Sequence, residues 1–176
     1  MRNPMRQQVL NSLRHAHSAF TDYELARDAT LRFLEDRQRI RSYLTAVGHW
    51  EDFLGHTWLS NFLLAKAFEP DAKYVLYQRG DGSVNQRLHS LHNRVKHADE
   101  AIARGDLPGE SPLVVWLTND GLKSTDAWLT FSEAAEELVA LARWADVVQD
   151  PLTMGAKIAA LSDISEASRS DGDRHS

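Results

Sequence analysis

Apolar residues recur at helical spacing through most of the first 68 positions, with Gly48 and Gly55 as weak interruptions. A first helix is predicted at about residues 5 to 18. Thr21 then has the features of a helix N-cap, because Glu24 follows three residues later and completes a capping box. Beyond it, a long amphipathic helix is predicted from apolar residues spaced three or four apart: Ile40, Tyr43, Leu44, Val47, Leu54, Trp58 and Phe62.

The next helix is predicted at residues 84 to 103, packed against the long helix that ends near Phe68. Between the two, Pro70 and the Gly-Asp-Gly at 80 to 82 indicate a connection with room for a short strand at 74 to 77. The apolar stripe of this next helix consists of Val84, Leu88, Leu91, Val95, Ala98 and Ile102. Its opposite, polar side carries Gln86, Arg87, Ser90, Asn93, Arg94 and His97.

The last third of the chain predicts a small β element and one more long helix. Two short strands are expected near residues 113 to 131, around a turn at 119 to 121. Thr130 and Glu133 form a second capping box that opens a helix to about Val148, and Pro151 ends it. A short helix is expected at 153 to 162. The predicted fold is therefore mainly α, with one helical-bundle domain at 1 to 163 and a disordered tail at 164 to 176.

Composition narrows the class of protein. The 176 residues suit one soluble domain, and the absence of cysteine excludes disulfides and thiolate metal sites. The N-terminus is too polar for a signal peptide and no apolar run is long enough to cross a membrane, so a cytoplasmic protein is expected. The net charge is −5, with eleven acids and three bases at 99 to 150, so a broad basic face for duplex binding is not expected.

Against this acidic background, residues 85 to 97 carry three histidines, two arginines, a lysine and no acid. RNA cleavage without a metal needs a base, an acid and cations that stabilise charge on phosphorus. Asn93, Arg94 and His97 on one exposed helix face would supply an orienting amide, a phosphate clamp and a proton carrier. The alternative is a face that is merely solvated. His92 borders the apolar stripe, which favours a packed histidine, and His89 fits either role.

Other polar residues give weaker expectations. Glu51 lies on an apolar stripe, so it is expected either to form a structural ion pair with His92 or Arg94 or to keep its carboxylate in water. No Glu-x-x-His pair occurs, so no metal site is predicted from the spacing of His49, Asp52 and His56. No phosphate-binding glycine loop or Gly-x-Ser-x-Gly occurs, so no cofactor is predicted. The five tryptophans are interpreted as core or interface residues.

Two overlapping motifs on the basic helix resemble the signature of HEPN domains. The segment "RLHSLH" places four residues between Arg87 and His92, and "HNRVKH" places Asn-x-x-Lys-His one turn further on. In those domains an arginine and a histidine, with a spacer of four to six residues between them, lie on the third long helix of a bundle. Residues 43 to 68 are similar to the preceding helix of such proteins. The resemblance covers about residues 22 to 150.

The resemblance implies a four- to five-helix bundle that forms a homodimer, with a metal-independent RNase site where the two motif helices meet. The pair implied is either Arg87 with His92 or a site centred on Asn93, Lys96 and His97, with Arg87, Arg94 and Lys96 binding RNA phosphate. The implied function is an endoribonuclease of bacterial defence or toxin type, which could have a protein partner or antitoxin. The alternative is a catalytically silent helical interaction or scaffold protein that uses the same dimer surface.

Overall fold

The mainly helical fold is confirmed by a computed structural model that describes residues 4–36, 39–71, 76–107 and 113–149. Within these ranges the chain forms five helices and three short strands. The helices are α1 (Pro4–Glu35), α2 (Ile40–Phe68), α3 (Val84–Lys96), α4 (Ala98–Arg104) and α5 (Phe131–Gln149). The strands are β1 (Trp116–Leu117), β2 (Gly121–Lys123) and β3 (Trp128–Thr130).

Helices α1 and α2 form an antiparallel hairpin. Small residues of α1 face α2, and Ala19 and Ala26 are fully buried there, so the two backbones approach closely. The predicted helix start at Thr21 is wrong, because α1 continues without interruption to Glu35. The Thr21 hydroxyl donates to the carbonyl of His17 at 3.3 Å, a bond within the helix that replaces the capping role.

The buried face of α2 differs from the predicted stripe. Val47, Leu54 and Trp58 are buried as expected, but Ile40 is 71% exposed and Leu44 is 48% exposed. The helix has α1 on one side and α3 and α5 on the other, so its buried arc is wide. The side toward α1 also includes small polar residues that an apolar pattern passes over, such as Ser60. Ser60 exchanges hydrogen bonds with Ser12 of α1 at 2.9 and 3.0 Å.

The helix predicted at 84 to 103 is divided in two at His97. Ser83 caps α3 by accepting a hydrogen bond from the Gln86 amide, and α3 ends at Lys96. Leu88 and Leu91 are completely buried, as the stripe predicts. At His97 the backbone leaves helical geometry, with φ −111° and ψ 28°, and α4 begins at the next residue. Ile102 is consequently 61% exposed, because α4 no longer follows the direction of the stripe.

The β element has three antiparallel strands in the order β1-β2-β3, so the prediction of two strands is corrected. The turn predicted at 119 to 121 joins β1 to β2, where the Thr118 amide donates to the Gly121 carbonyl at 2.8 Å. The third strand follows a tight turn in which the buried Ser124 hydroxyl accepts from the Ala127 amide at 3.1 Å. A side chain at Gly121 would collide with the Leu129 carbonyl, so close pairing of β2 and β3 requires glycine there.

The second capping box is confirmed at the start of α5. The Glu133 amide donates to the Thr130 hydroxyl at 3.1 Å, and the Thr130 amide donates to the Glu133 carboxylate at 3.0 Å. The predictions for Pro151, for a helix at 153 to 162 and for the tail at 164 to 176 lie outside the described residues, as does the first half of the strand expected at 74 to 77. Residues 76 and 77 are described and are not in a strand. None of the helices in the described ranges has the length and apolarity needed to cross a membrane.

Candidate functional site

An open polar pocket of about 420 Å³ lies where α3, α4 and the β2–β3 turn meet. It brings together the three side chains that the sequence selected from the polar helix face, Asn93, Arg94 and His97. Its polar lining is completed by Ser90 of α3, Glu100 and Arg104 of α4, and Asp126 of the turn. Helix α4 follows α3 directly at His97 and adds its own charged residues, Glu100 and Arg104, to the wall of the pocket.

Arg94 is held by a carboxylate from the β2–β3 turn. Its Nε lies 3.1 Å from Oδ1 of Asp126, and both side chains are more than a third exposed. Partial burial alone would raise the pKa of Asp126, but hydrogen bonds from Arg94 and Ser124 outweigh it and lower that pKa. Because the pair faces solvent, it contributes only about 0.2–1 kcal/mol, and a stronger anion could displace the carboxylate.

His97 lies at the break between the helices and is half exposed. Its Nδ1 is 3.4 Å from Oε1 of Glu100, which orients the ring and leaves Nε2 on the far side. Glu100 also lies 4.0 Å from Arg104, and Arg104 has a second carboxylate, Asp106, at 3.0 Å. Cations and acids therefore alternate around the pocket. A histidine with a carboxylate on one nitrogen and access on the other has the arrangement of a proton carrier.

Asn93 is hydrogen-bonded to His89, a half-buried histidine whose role the spacing alone left undecided. Nδ2 of Asn93 donates to Nε2 of His89 at 2.9 Å, and Nδ1 of His89 is hydrogen-bonded to the Tyr77 hydroxyl. The His89 ring stacks on Trp58 of α2, with 4.1 Å between centroids and 13° between planes. Burial, and then the charge of Lys96, lower the pKa of His89, so its neutral form is favoured.

Arg87 is not brought to this pocket. Its guanidinium forms a two-pronged contact with Glu133 of α5, at 2.6 and 3.2 Å, and donates to the Trp128 carbonyl at 3.1 Å. It also lies over the Trp128 ring, 5.0 Å from the centroid, and its side chain is only 15% exposed. The hydrogen bond from Arg87 is the main reason that the pKa of Glu133 falls from 4.5 to about 2. The polar side of α3 is thus partly covered, contrary to the expectation that all of it is exposed.

His92 and Lys96 also lie apart from the pocket lining. The His92 ring packs toward α2, where a Cβ on Gly55 would lie 3.6 Å from its Nδ1. Burial is the first cause, and the neighbouring His89 the second, of a lowered pKa of His92. This is the packed histidine that the apolar stripe favoured. Lys96 is exposed at the last position of α3.

The ion pair expected for Glu51 is not formed. None of the described lysines, arginines or histidines has a nitrogen within 4.0 Å of its carboxylate, because Arg94 turns to Asp126 instead. Partial burial and the neighbouring Asp52 raise the pKa of Glu51. His56, which shares a spacing with His49 and Asp52, bonds instead to Asp22 of α1 at 2.6 Å. No group of three or more acids and histidines suited to a metal occurs among the described residues.

The chain was compared with models of protein families, with curated proteins and with solved structures, and none of the three comparisons gives a match. The pocket must therefore be interpreted from its own residues and from the short motif on α3.

Proposed function

We propose that this protein is a HEPN-like, metal-independent endoribonuclease of bacterial defence or toxin type. The site that we propose centres on Asn93, Arg94 and His97. The observation that carries the proposal is their convergence on one open pocket, although a helix break separates His97 from the regular turns of α3. Arg87 and His92, the other pair that the resemblance offers, have internal contacts that favour structural roles.

In the proposed reaction His97 moves the proton. Nε2 takes the proton of the RNA 2′-hydroxyl, the 2′-oxygen forms a bond to phosphorus, and the bond from phosphorus to the 5′-oxygen breaks. The leaving oxygen takes up a proton from an acid or from water. Glu100 on Nδ1 keeps the ring oriented.

Arg94 and Arg104 stabilise the charge that develops on phosphorus. Each now contacts a carboxylate at the pocket surface, Asp126 for Arg94 and Asp106 for Arg104. A phosphate offers both arginines a charge-assisted acceptor and competes for contacts that are weak in water. Asn93 orients the reacting group through its amide.

The proposed active form is a homodimer in which the two pockets lie near the two-fold axis. The support is the surface around the pocket, where the exposed Ile102 follows the pocket-lining Ala101 and Asp99 supplies an acid opposite the basic residues of a second copy. Light scattering at micromolar concentration should give twice the chain mass, and a monomer would contradict the dimer.

The ribonuclease proposal is tested by incubating the full-length protein with end-labelled RNA in EDTA. Cleavage should occur, because no step uses a metal. Asn93→Ala should lower the rate, whereas Asn11→Ala should not, since Asn11 is an exposed helix residue bonded only to its own turn. RNA that stays intact with the wild-type protein would refute the proposal.

A second candidate is a catalytically silent interaction protein, favoured by the charge balance of the pocket. Arg94, His97 and Arg104 all face carboxylates of the same chain, so the site is not strongly cationic. Such a surface suits a protein partner with its own alternating charges better than it suits an RNA backbone. A purified protein that cuts no RNA but forms a dimer through this face would favour the second candidate.

A further inference from the structure

We propose that Tyr77 and His89 form a positioning network that fixes which end of the Asn93 amide faces the pocket. The network connects the segment before α3 to the pocket through a ring that lies between α2 and α3. The importance of Asn93 for RNA rests on the proposed function. The network itself can be tested without RNA.

With Nδ2 of the Asn93 amide turned toward the ring, one arrangement of protons satisfies both contacts of His89. Nδ2 of Asn93 is a donor, so Nε2 of His89 must be an unprotonated acceptor. In a neutral imidazole the proton is then on Nδ1, which donates to the Tyr77 oxygen. The Tyr77 hydroxyl proton is consequently directed away from the ring.

The packing of His89 makes this arrangement rigid. One face of the ring lies flat on Trp58, which is itself 8% exposed, so the ring cannot rotate without losing that stack. Both ring nitrogens are engaged, and α3 holds Asn93 one turn after His89. A ring fixed at both nitrogens and on one face transmits a single orientation to the amide.

The consequence for the pocket is a defined polarity at Asn93. With Nδ2 turned toward His89, Oδ1 remains available as an acceptor in a pocket whose other neighbours include the donors Arg94 and Arg104. A ligand hydroxyl can therefore donate to Oδ1 while its phosphate accepts from the arginines. A reversed amide would present donors only, and such a hydroxyl would lose its acceptor.

The test is the tautomer of His89 in the full-length ¹⁵N-labelled protein at pH 7, read from two-bond proton–nitrogen correlations. His89→Gln identifies the signals of His89 among the eight histidines. The expected result is a proton on Nδ1 and none on Nε2. Tyr77→Phe should shift the His89 nitrogens and the Asn93 side-chain amide together.

Tyr43→Phe is the matched control, because it also removes a tyrosine hydroxyl that forms a hydrogen bond. The Tyr43 hydroxyl accepts from the Leu117 amide at 3.2 Å, away from His89. It should leave the His89 and Asn93 signals unchanged. The network would be overturned if His89 carried a proton on Nε2 or were charged at pH 7. It would also be overturned if Tyr77→Phe left the Asn93 side-chain amide signals unchanged. If the wild-type protein cuts RNA, Tyr77→Phe should lower kcat and leave KM unchanged. If the wild-type protein cuts no RNA, the proposed function is refuted, but the tautomer of His89 still tests the network.

Discussion

The two halves of α3 carry similar residues and have different surroundings. In the first half, Arg87 is enclosed by Glu133, Trp128 and the Gly82 carbonyl, and its neighbour Leu88 is completely buried. In the second half, Arg94 is more than a third exposed, and His97 stands half exposed where the helix breaks. One half fixes the helix to α5 and the sheet, and the other presents charges to a pocket.

This difference shows that a cationic helix face can serve two purposes within three turns. The guanidinium of Arg87 has a bidentate contact with a carboxylate and lies over an aromatic ring, and such a group has a structural role. A guanidinium with one exposed carboxylate partner is exchangeable. Arg87 and Arg94 therefore predict opposite outcomes when they are replaced.

The largest effect on stability is expected in the buried stripe that supports both halves. Leu91→Ala should lower the free energy of unfolding by about 2–5 kcal/mol, because Leu91 is completely buried in the core. Urea unfolding measures it, with Leu10→Ala as the matched control. Leu10 is 55% exposed, so its replacement should change stability by no more than about 0.5 kcal/mol. Equal losses for the two variants would contradict the assignment of the core side of α3.

Arg87→Gln should lower the free energy of unfolding by less than Leu91→Ala does, but by more than the replacement of any residue that lines the pocket. It removes charged hydrogen bonds to a partly buried carboxylate, which typically contribute about 1–3 kcal/mol. Urea unfolding at pH 7 measures the loss. A free energy of unfolding equal to that of the wild type would mean that the pair of Arg87 with Glu133 does not stabilise the first half of α3.

The same pair predicts a pH dependence. The pKa of Glu133 is about 2 in the folded protein and 4.5 without its partners. Because the folded value is the lower one, the carboxylate stabilises the fold fully above pH 4.5, and this contribution is lost as the pH falls toward 2. The stability difference between wild type and Arg87→Gln should therefore shrink across that window. A difference that is constant from pH 7 to pH 3 would show that another interaction produces it.

Arg94→Gln should lower the free energy of unfolding by less than Arg87→Gln does, about 0.2–1 kcal/mol, because the pair of Arg94 with Asp126 is exposed. Unfolding of this variant beside Arg87→Gln tests the comparison directly. High salt should reduce the Arg94 contribution further by screening. A loss as large as that of Arg87→Gln would mean that the two halves do not differ.

Local patterns predicted some elements of this fold and failed at others for identifiable reasons. Thr130 with Glu133 and Thr21 with Glu24 have the same capping spacing, but only Thr130 ends a strand and directly precedes a helix. Thr21 lies in a helix whose alanine face is buried against α2, so tertiary packing continues the helix through it. The second of the two predicted strands is divided into β2 and β3 by the turn at 124 to 127, which the local apolar pattern does not show.

For the candidate site, helical spacing selected Asn93, Arg94 and His97 correctly as neighbours on one face. It could not show that Arg87 would be enclosed, because Glu133 lies 46 residues away in the chain. The spacing along α3 could not predict the partners of His89 either, because Trp58 belongs to α2 and Tyr77 to the connection before α3. Spacing along one helix determines which residues share a face, whereas contacts between elements determine which of them remain available.

The central claim is that the second half of α3 has a chemical role that is separate from stability, and His97→Ala tests it most directly. RNA cleavage in EDTA and thermal unfolding are measured on the same samples, with His17→Ala, another exposed histidine, as the control. His97→Ala should lower the cleavage rate on the order of a hundredfold to ten-thousandfold, with the melting temperature nearly unchanged. His17→Ala should alter neither. A His97→Ala protein that cuts RNA at the wild-type rate would contradict the account.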